Sequence, residues 1–217
     1  THKLLNSEEL EILTKNLKKE SLLWDDGKLT AGKHAAKVKN NLQLRRDSDL
    51  SLKFSGLITK KILSNELIKS FALPKKIHGT IFSKSTSGME YGRHIDNAYM
   101  SSGRADLSFT IFLNPKEDYE GGSLSIECFN SEKKFKLNAG EIIIYPSTFL
   151  HSVEEVTDGE RLVFIGWIES YVKSIEEREY LFDLDAAARS LLAKYGRSDE
   201  VDLIFKSYSN LLRRLGS

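Results

Sequence analysis

The chain has 217 residues, with 32 basic and 31 acidic side chains for a formal net charge of +1, and is 40% hydrophobic and 29% charged. That length suits one large domain, or one domain with a helical appendage, and the balanced charge gives no electrostatic case for a nucleic-acid or membrane-surface partner. No apolar run approaches the ~18 residues of a bilayer span, and a single cysteine, Cys128, excludes an intrachain disulfide, so a cytoplasmic enzyme is the default expectation.

The ends read as helix and the middle as β-structure. The opening Thr1-His-Lys-Leu-Leu is not a signal peptide, and a start at Thr suggests residues upstream. Asn6 and Ser7 are N-cap residues before Glu8-Glu-Leu-Glu-Ile-Leu-Thr-Lys-Asn-Leu17, where Leu10, Leu13 and Leu17 recur at helical spacing. Trp24-Asp-Asp-Gly27 is a turn signal. A second helical stretch covers 47–70, with Asp47 or Ser48 as cap and Leu50, Phe54, Leu57, Ile58, Ile62 and Leu67 on one stripe; Pro74 ends that region. Short β-rich runs follow at 77–83, 106–113, 122–127, 133–137, 141–145, 150–156 and 160–168. Glu120-Gly-Gly-Ser123 and Asn138-Ala-Gly-Glu141 supply tight turns between them. After Ser170 helix returns over 176–185, 186–195 and 199–215. The expected class is α+β: a double-stranded β-helix, or jelly-roll, core over 76–170, a helical segment at 1–75 packing on it, and a C-terminal helical segment at 171–217.

The β region holds the residues with chemistry. His94 and Asp96, in Tyr91-Gly-Arg-His-Ile-Asp-Asn97, point to one side if 93–97 is extended. His151 opens a later strand, and in a jelly roll two strands distant in sequence can be neighbours. Two imidazoles and one carboxylate leave open coordination positions, the arrangement of non-haem Fe(II) oxygenases. Zinc competes, because the same ligands plus water suit it. Any one of these residues alone is more often a surface or hydrogen-bonded side chain; the β pattern around them gives the set its weight. His2, His34 and His78 read as solvated. Arg161 follows the Asp158-Gly-Glu160 turn and leads into the apolar Leu162-Val-Phe-Ile-Gly-Trp167. It is either an exposed strand-end residue or a buried cation whose planar fork grips a carboxylate at two points.

With these residues in place the chain resembles the Fe(II)/2-oxoglutarate-dependent dioxygenases of the prolyl-4-hydroxylase-like group, and more closely the PKHD-type hydroxylases. The matching segments include Gly88-Met-Glu-Tyr-Gly-Arg-His-Ile-Asp-Asn-Ala98, Phe112-Leu-Asn-Pro-Lys-Glu-Asp-Tyr-Glu-Gly-Gly122, Tyr145-Pro-Ser147 and Val156-Thr-Asp-Gly-Glu-Arg161. Val38-Lys-Asn-Asn41, Leu181-Phe-Asp-Leu-Asp185 and Asn210-Leu-Leu-Arg213 extend the likeness to both ends. The resemblance implies that His94, Asp96 and His151 bind Fe(II) and that Arg161 binds the distal carboxylate of 2-oxoglutarate. It implies O2 as co-substrate, ascorbate as reductant, and release of succinate and CO2. Val153 and Trp167 fall where relatives place apolar walls around the metal and co-substrate. Asp96 argues against the halogenating relatives, which carry a small residue there. Two positions depart from the family: Ser85 stands where a tyrosine usually supports 2-oxoglutarate, and Phe112 where some prolyl hydroxylases use a carboxylate-binding tyrosine. Thr110, of the same strand parity as Phe112, is a candidate replacement donor.

The function expected is therefore hydroxylation of a substrate C–H bond, with a peptidyl proline favoured and a small molecule open. A jelly-roll module that binds metal or carboxylate without turnover, and a zinc hydrolase, are the other classes. Segments 24–48 and 84–103, rich in Lys, Ser, Asn and Gly, are candidate lids. The C-terminal helices either pack on the sheet or form a dimer contact, leaving monomer and homodimer both open.

Overall fold

The computed structural model describes residues 1–19, 21–30, 32, 35–128 and 130–217; the sequence reading of His34 lies outside them. In chain order the elements are β1 (His2–Lys3), α1 (Ser7–Lys19), β2 (Trp24–Asp26), β3 (Lys39–Asn40), β4 (Leu42–Leu44), α2 (Asp49–Ser64) and α3 (Glu66–Ala72). There follow β5 (Pro74–Thr86), β6 (Met89–His94), β7 (Tyr99–Met100), β8 (Gly103–Arg104), β9 (Leu107–Phe112), β10 (Tyr119–Gly121), β11 (Leu124–Cys128), β12 (Ser131–Phe135), β13 (Glu141–Pro146), β14 (His151–Ser170), α4 (Ile175–Tyr195) and α5 (Asp199–Leu215).

Local chemistry sets the helix ends. Asn6 and Glu9 exchange bonds, Glu9 N donating to Asn6 Oδ1 at 2.9 Å and Asn6 N to Glu9 Oε2 at 2.8 Å, which satisfies two free amides at the start of α1. The helical stretch expected over 47–70 is two helices, because Asn65 ends α2 and its side chain accepts from Ile68 N to start α3. Leu73, left-handed at φ 43°, closes α3 just before Pro74. Residues 1–75 also supply four short strands, so this segment extends the sheet as well as covering it. Trp24–Asp26, expected as a turn, is one of them and pairs with β4.

The strands form two antiparallel arrays that share β14. The major array runs β1-β13-β9-β14-β5-β4-β2. The minor one places β6, β11 and β10 against the first half of β14, with β3 beyond β6 and β12 beyond β11. The runs expected separately at 150–156 and 160–168 are thus one strand, which passes from the minor array to the major array near Gly159. Gly159 has φ +77°, and a Cβ there would lie 2.1 Å from the Asp118 carbonyl oxygen, so only glycine fits the corner. Asn114 spans the same corner, donating to Glu160 O and accepting from Leu162 N.

Alternation along the central strands divides the core. Phe109, Ile111, Ile142, Leu162 and Phe164 face α1 and α2, whose leucines and isoleucines complete the larger cluster. Their neighbours Phe112, Ile143, Tyr145 and Val163 face the opposite way and meet Leu124 and Ile126 of the minor array. Both faces of β9 are covered, which accounts for its unbroken burial. This is the expected jelly-roll core with helices at both ends. Among the described residues no helix is long and apolar enough to cross a membrane.

Candidate active site

The register of β6 on β14 sets His94 opposite His151. Their rings lie 4.3 Å apart between centroids. Strand β6 ends at His94, so Asp96 follows on irregular backbone rather than on the extended run expected through 97. It still comes back to the histidines: one donor atom from each of His94, Asp96 and His151 lies within 4.8 Å of the others, the one such cluster among the described residues. Both imidazoles are buried, and each Nδ1 is tied to a carbonyl two residues earlier, His94 to Gly92 O at 2.8 Å and His151 to Phe149 O at 3.0 Å. That bond assigns the proton to Nδ1 and leaves Nε2 as a lone-pair donor. Burial, then the neighbouring His151, pushes the pKa of His94 down to about 4, which keeps its ring neutral at physiological pH.

Asp96 is held by two donors on one oxygen: Ser108 Oγ at 2.6 Å and Trp167 Nε1 at 2.9 Å to Oδ2. Trp167, expected as an apolar wall, therefore also orients the carboxylate. It reaches there because Gly79, at φ +64°, leaves room: a Cβ at that position would sit 2.6 Å from the indole ring.

Arg161 is 3% exposed, which decides for the buried cation over the strand-end residue. Burial pulls its pKa below the usual guanidinium range. Among the described residues, its Nε and the hydroxyl of Tyr119 beside it are buried without a hydrogen-bond partner. Gly122, at φ +64°, leaves space for the arginine stem, since a Cβ there would meet Arg161 Cδ at 3.0 Å. A cavity of about 570 Å³ joins the two ends; its wall includes His94, Asp96, His151 and Arg161 together with Val153, Thr110 and Trp167. Residues from both candidate lid segments line it too, among them the buried Lys39 and the exposed Thr30, Asn97 and Tyr99. The histidine–carboxylate set can hold a divalent ion, and a guanidinium with no carboxylate partner among the described residues fits a carboxylate on a ligand of that ion.

A PKHD-type hydroxylase of Prochlorococcus marinus strain MIT 9215 is 74% identical over 216 residues, covering 100% of this chain and 98% of the relative. The chain belongs to the PKHD-type hydroxylases. A family model of the 2OG-Fe(II) oxygenase superfamily matches residues 80–169, and one of the PKHD-type hydroxylase C-terminal domain matches 176–216. In structure the chain is similar to a Pseudomonas putida prolyl-4-hydroxylase, with a TM-score of 0.58 at 15% identity over 78% of this chain and 90% of that one. It is also similar to a Trichoplax adhaerens prolyl hydroxylase in complex with a hypoxia inducible factor peptide fragment, with a TM-score of 0.57 at 18% identity over 83% and 84%. Those two likenesses establish the fold. As a PKHD-type hydroxylase the chain is an oxidoreductase of a superfamily that uses Fe(II), 2-oxoglutarate and O2.

Sequence reasoning missed several residues of this PKHD-type site. Tyr145 is 7% exposed and packs edge-on to His151 at 5.3 Å, with Thr110 and Arg161 close enough to its hydroxyl to perturb it. It comes from β13, where it stands opposite Ser108 of β9, two residues along that strand from Thr110. Tyr91 stacks on His94 at 3.6 Å. The one available signal for both was an aromatic on an inward strand position, which equally describes core packing. His78, read as solvated, is a correction: it is 5% exposed and hydrogen-bonds with Ser102 Oγ and Arg104 O, away from the metal cluster.

Proposed function

We propose that this chain hydroxylates an unactivated C–H bond, with His94, Asp96 and His151 holding Fe(II) and Arg161 holding the distal carboxylate of 2-oxoglutarate. Bound there, Fe(II) with 2-oxoglutarate and O2 supplies the oxidant for hydroxylation, with succinate and CO2 released and ascorbate serving as reductant. The observation that carries the reading is the pairing of a three-donor cluster with a buried guanidinium that, among the described residues, has no carboxylate partner and leaves its Nε unbonded, across one cavity.

The protein's own groups have separable tasks. Ser108 and Trp167 fix the plane of the Asp96 carboxylate, and Gly92 O and Phe149 O fix the two imidazole tautomers. Arg161 offers paired N–H donors to one end of the co-substrate, with the Tyr119 and Tyr145 hydroxyls and Thr110 alongside. Tyr145 thus takes the place of the tyrosines that the family carries at the positions of Ser85 and Phe112. Val153, Leu124, Val163 and Ile165 line the cavity with hydrocarbon and limit water near the oxidant. Peptidyl proline is the favoured substrate on the strength of the shared fold, and the jelly roll of 76–170 is the catalytic unit to which the flanking helical segments are fastened.

Anaerobic titration of the metal-free protein with Fe(II) and 2-oxoglutarate, followed through the visible metal-to-ligand charge-transfer band, tests this. Wild type is expected to give a saturable band, His94→Ala none, and Arg161→Ala one that needs much more 2-oxoglutarate, a loss of about 2–5 kcal/mol for an unpaired carboxylate. A folded, metal-loaded wild type with no band overturns the assignment.

A further inference from the structure

Two cations in the same cavity are left over by this chemistry. The charges of a divalent ion and Arg161 are matched by Asp96 and the two carboxylates of 2-oxoglutarate. Lys39 and Arg46 also line the cavity, and among the described residues neither is paired with a carboxylate. Lys39 is the more telling. It is 5% exposed, and buried lysines are rare unless paired. Its ammonium has three protons to donate but, among the described residues, a single weak hydrogen bond, to Thr30 Oγ1 at 3.3 Å, and that hydroxyl is shared with Gln43 Oε1.

The position is built. Strand β3 pairs with β6 so that Lys39 stands opposite Tyr91, and the ammonium lies 5.1 Å from the centre of the Tyr91 ring. That ring stacks on His94. Lys39 is therefore one aromatic ring removed from the metal cluster, whereas Arg161 enters the cavity from β14. Arg46, exposed at the rim, is near enough to disfavour the Lys39 charge, so the two reinforce each other as an anion site.

We infer that Lys39 and Arg46 form a second anion subsite at the mouth, which takes a compact anionic group of the substrate, a carboxylate or a phosphate, close to the carbon that is attacked. This rests on the proposed reaction at the same site, and narrows the substrate to one with an anionic group beside the reacting carbon: for the favoured peptidyl proline, an adjacent acidic side chain, terminal carboxylate or phosphorylated residue. A lysine point charge with an adjacent guanidinium suits either group. A cation left unmatched in a cavity wall costs stability and is better explained by a ligand than by packing.

The test is protection of Lys39 from acetylation in protein loaded with Mn(II) and 2-oxoglutarate, read by mass spectrometry. Acetate and methyl phosphate are the probes. Either anion is expected to slow Lys39 labelling by about tenfold near saturation while exposed Lys60 and Lys173 label as before, since shielding follows occupancy. Arg46→Gln should raise the concentration required. The more effective anion tells carboxylate from phosphate. No protection by either, or equal slowing at the exposed lysines, overturns the subsite. Because labelling does not depend on the charge-transfer band, a missing band with intact protection discards the reaction and keeps the subsite, and the reverse result does the opposite.

Discussion

Lys39 illustrates how a single side chain is placed against its own stability. Burial, followed by the charge of Arg46, pushes its pKa from 10.5 down to about 8, while Asp96 and Asp26 act weakly the other way. Between those two values the unfolded chain binds more protons than the folded one, so stability rises with pH across that window. Below pH 8 both states are protonated and the full burial penalty is present. Lys39→Met is therefore expected to stabilise the metal-free protein at pH 7 by roughly 1–3 kcal/mol, and to lose the gain in stability that wild type shows on going from about pH 8 to 10.5. Urea unfolding at both ends of that range measures it; a variant less stable than wild type at pH 7 would show that Lys39 packs rather than strains. At this scale the convergence of His94, Asp96 and His151 and the cavity position of Arg161 were legible because each lies in a motif whose spacing carries meaning. Lys39 and Tyr145 were not, because each reaches the cavity through strand pairing between segments far apart in sequence, and a lysine in Lys37-Val-Lys-Asn-Asn41 looks like any solvated one. Tyr91, on the same strand as His94, was not legible either, because an aromatic there equally describes core packing.

At the level of elements, helix starts were legible where caps such as Asn6 and Ser48 act on amides within three residues, whereas the break at Asn65 that divides 47–70 was not read. The short strands of 1–75 went unread: two- and three-residue strands have no periodicity to detect and exist only because β5, β6 and β13 offer them edges. The Asp158-Gly-Glu160 segment looked like a turn between two strands, and it is instead a corner within one. Gly159→Ala is expected to destabilise the protein by about 1–3 kcal/mol, from a left-handed φ and collision with the Asp118 carbonyl. The same change should weaken the Fe(II)–2-oxoglutarate band, because the corner lies between His151 and Arg161. A variant with wild-type melting temperature and band would show that the corner tolerates relaxation.

Across the whole molecule, the C-terminal helix pair packs where β5 begins and β14 ends. Leu73, Val172 and Leu181 form a third cluster with Tyr208, Leu212 and Leu215 of α5 packed on it. Polar fastenings join them: Asp185 accepts from Ser70 Oγ at 2.6 Å, and Arg178 Nη1 donates to Val172 O at 2.6 Å. These helices pack on the fold, the first of the two expectations for them. Ending the chain before Ile175 exposes Leu73 and Val172 and strands Ser70, so a loss of roughly 2–5 kcal/mol is expected. Thermal melting checks this, and an unchanged midpoint would mean that the pair is only an appendage.

Strand β14 carries His151 at its start, Arg161 past its corner and Trp167 near its end, all in one unbroken segment. The span between the histidine–carboxylate cluster and the buried guanidinium, which are the metal and co-substrate positions of the proposed reaction, is thus written into consecutive peptide bonds, with no intervening loop to refold. The mouth, by contrast, is assembled from separate segments around Lys39, Arg46 and Asn97. Insertions and exchanges at the mouth leave that span untouched, so a lineage built on this scaffold is free to trade one substrate for another without having to rediscover the reaction.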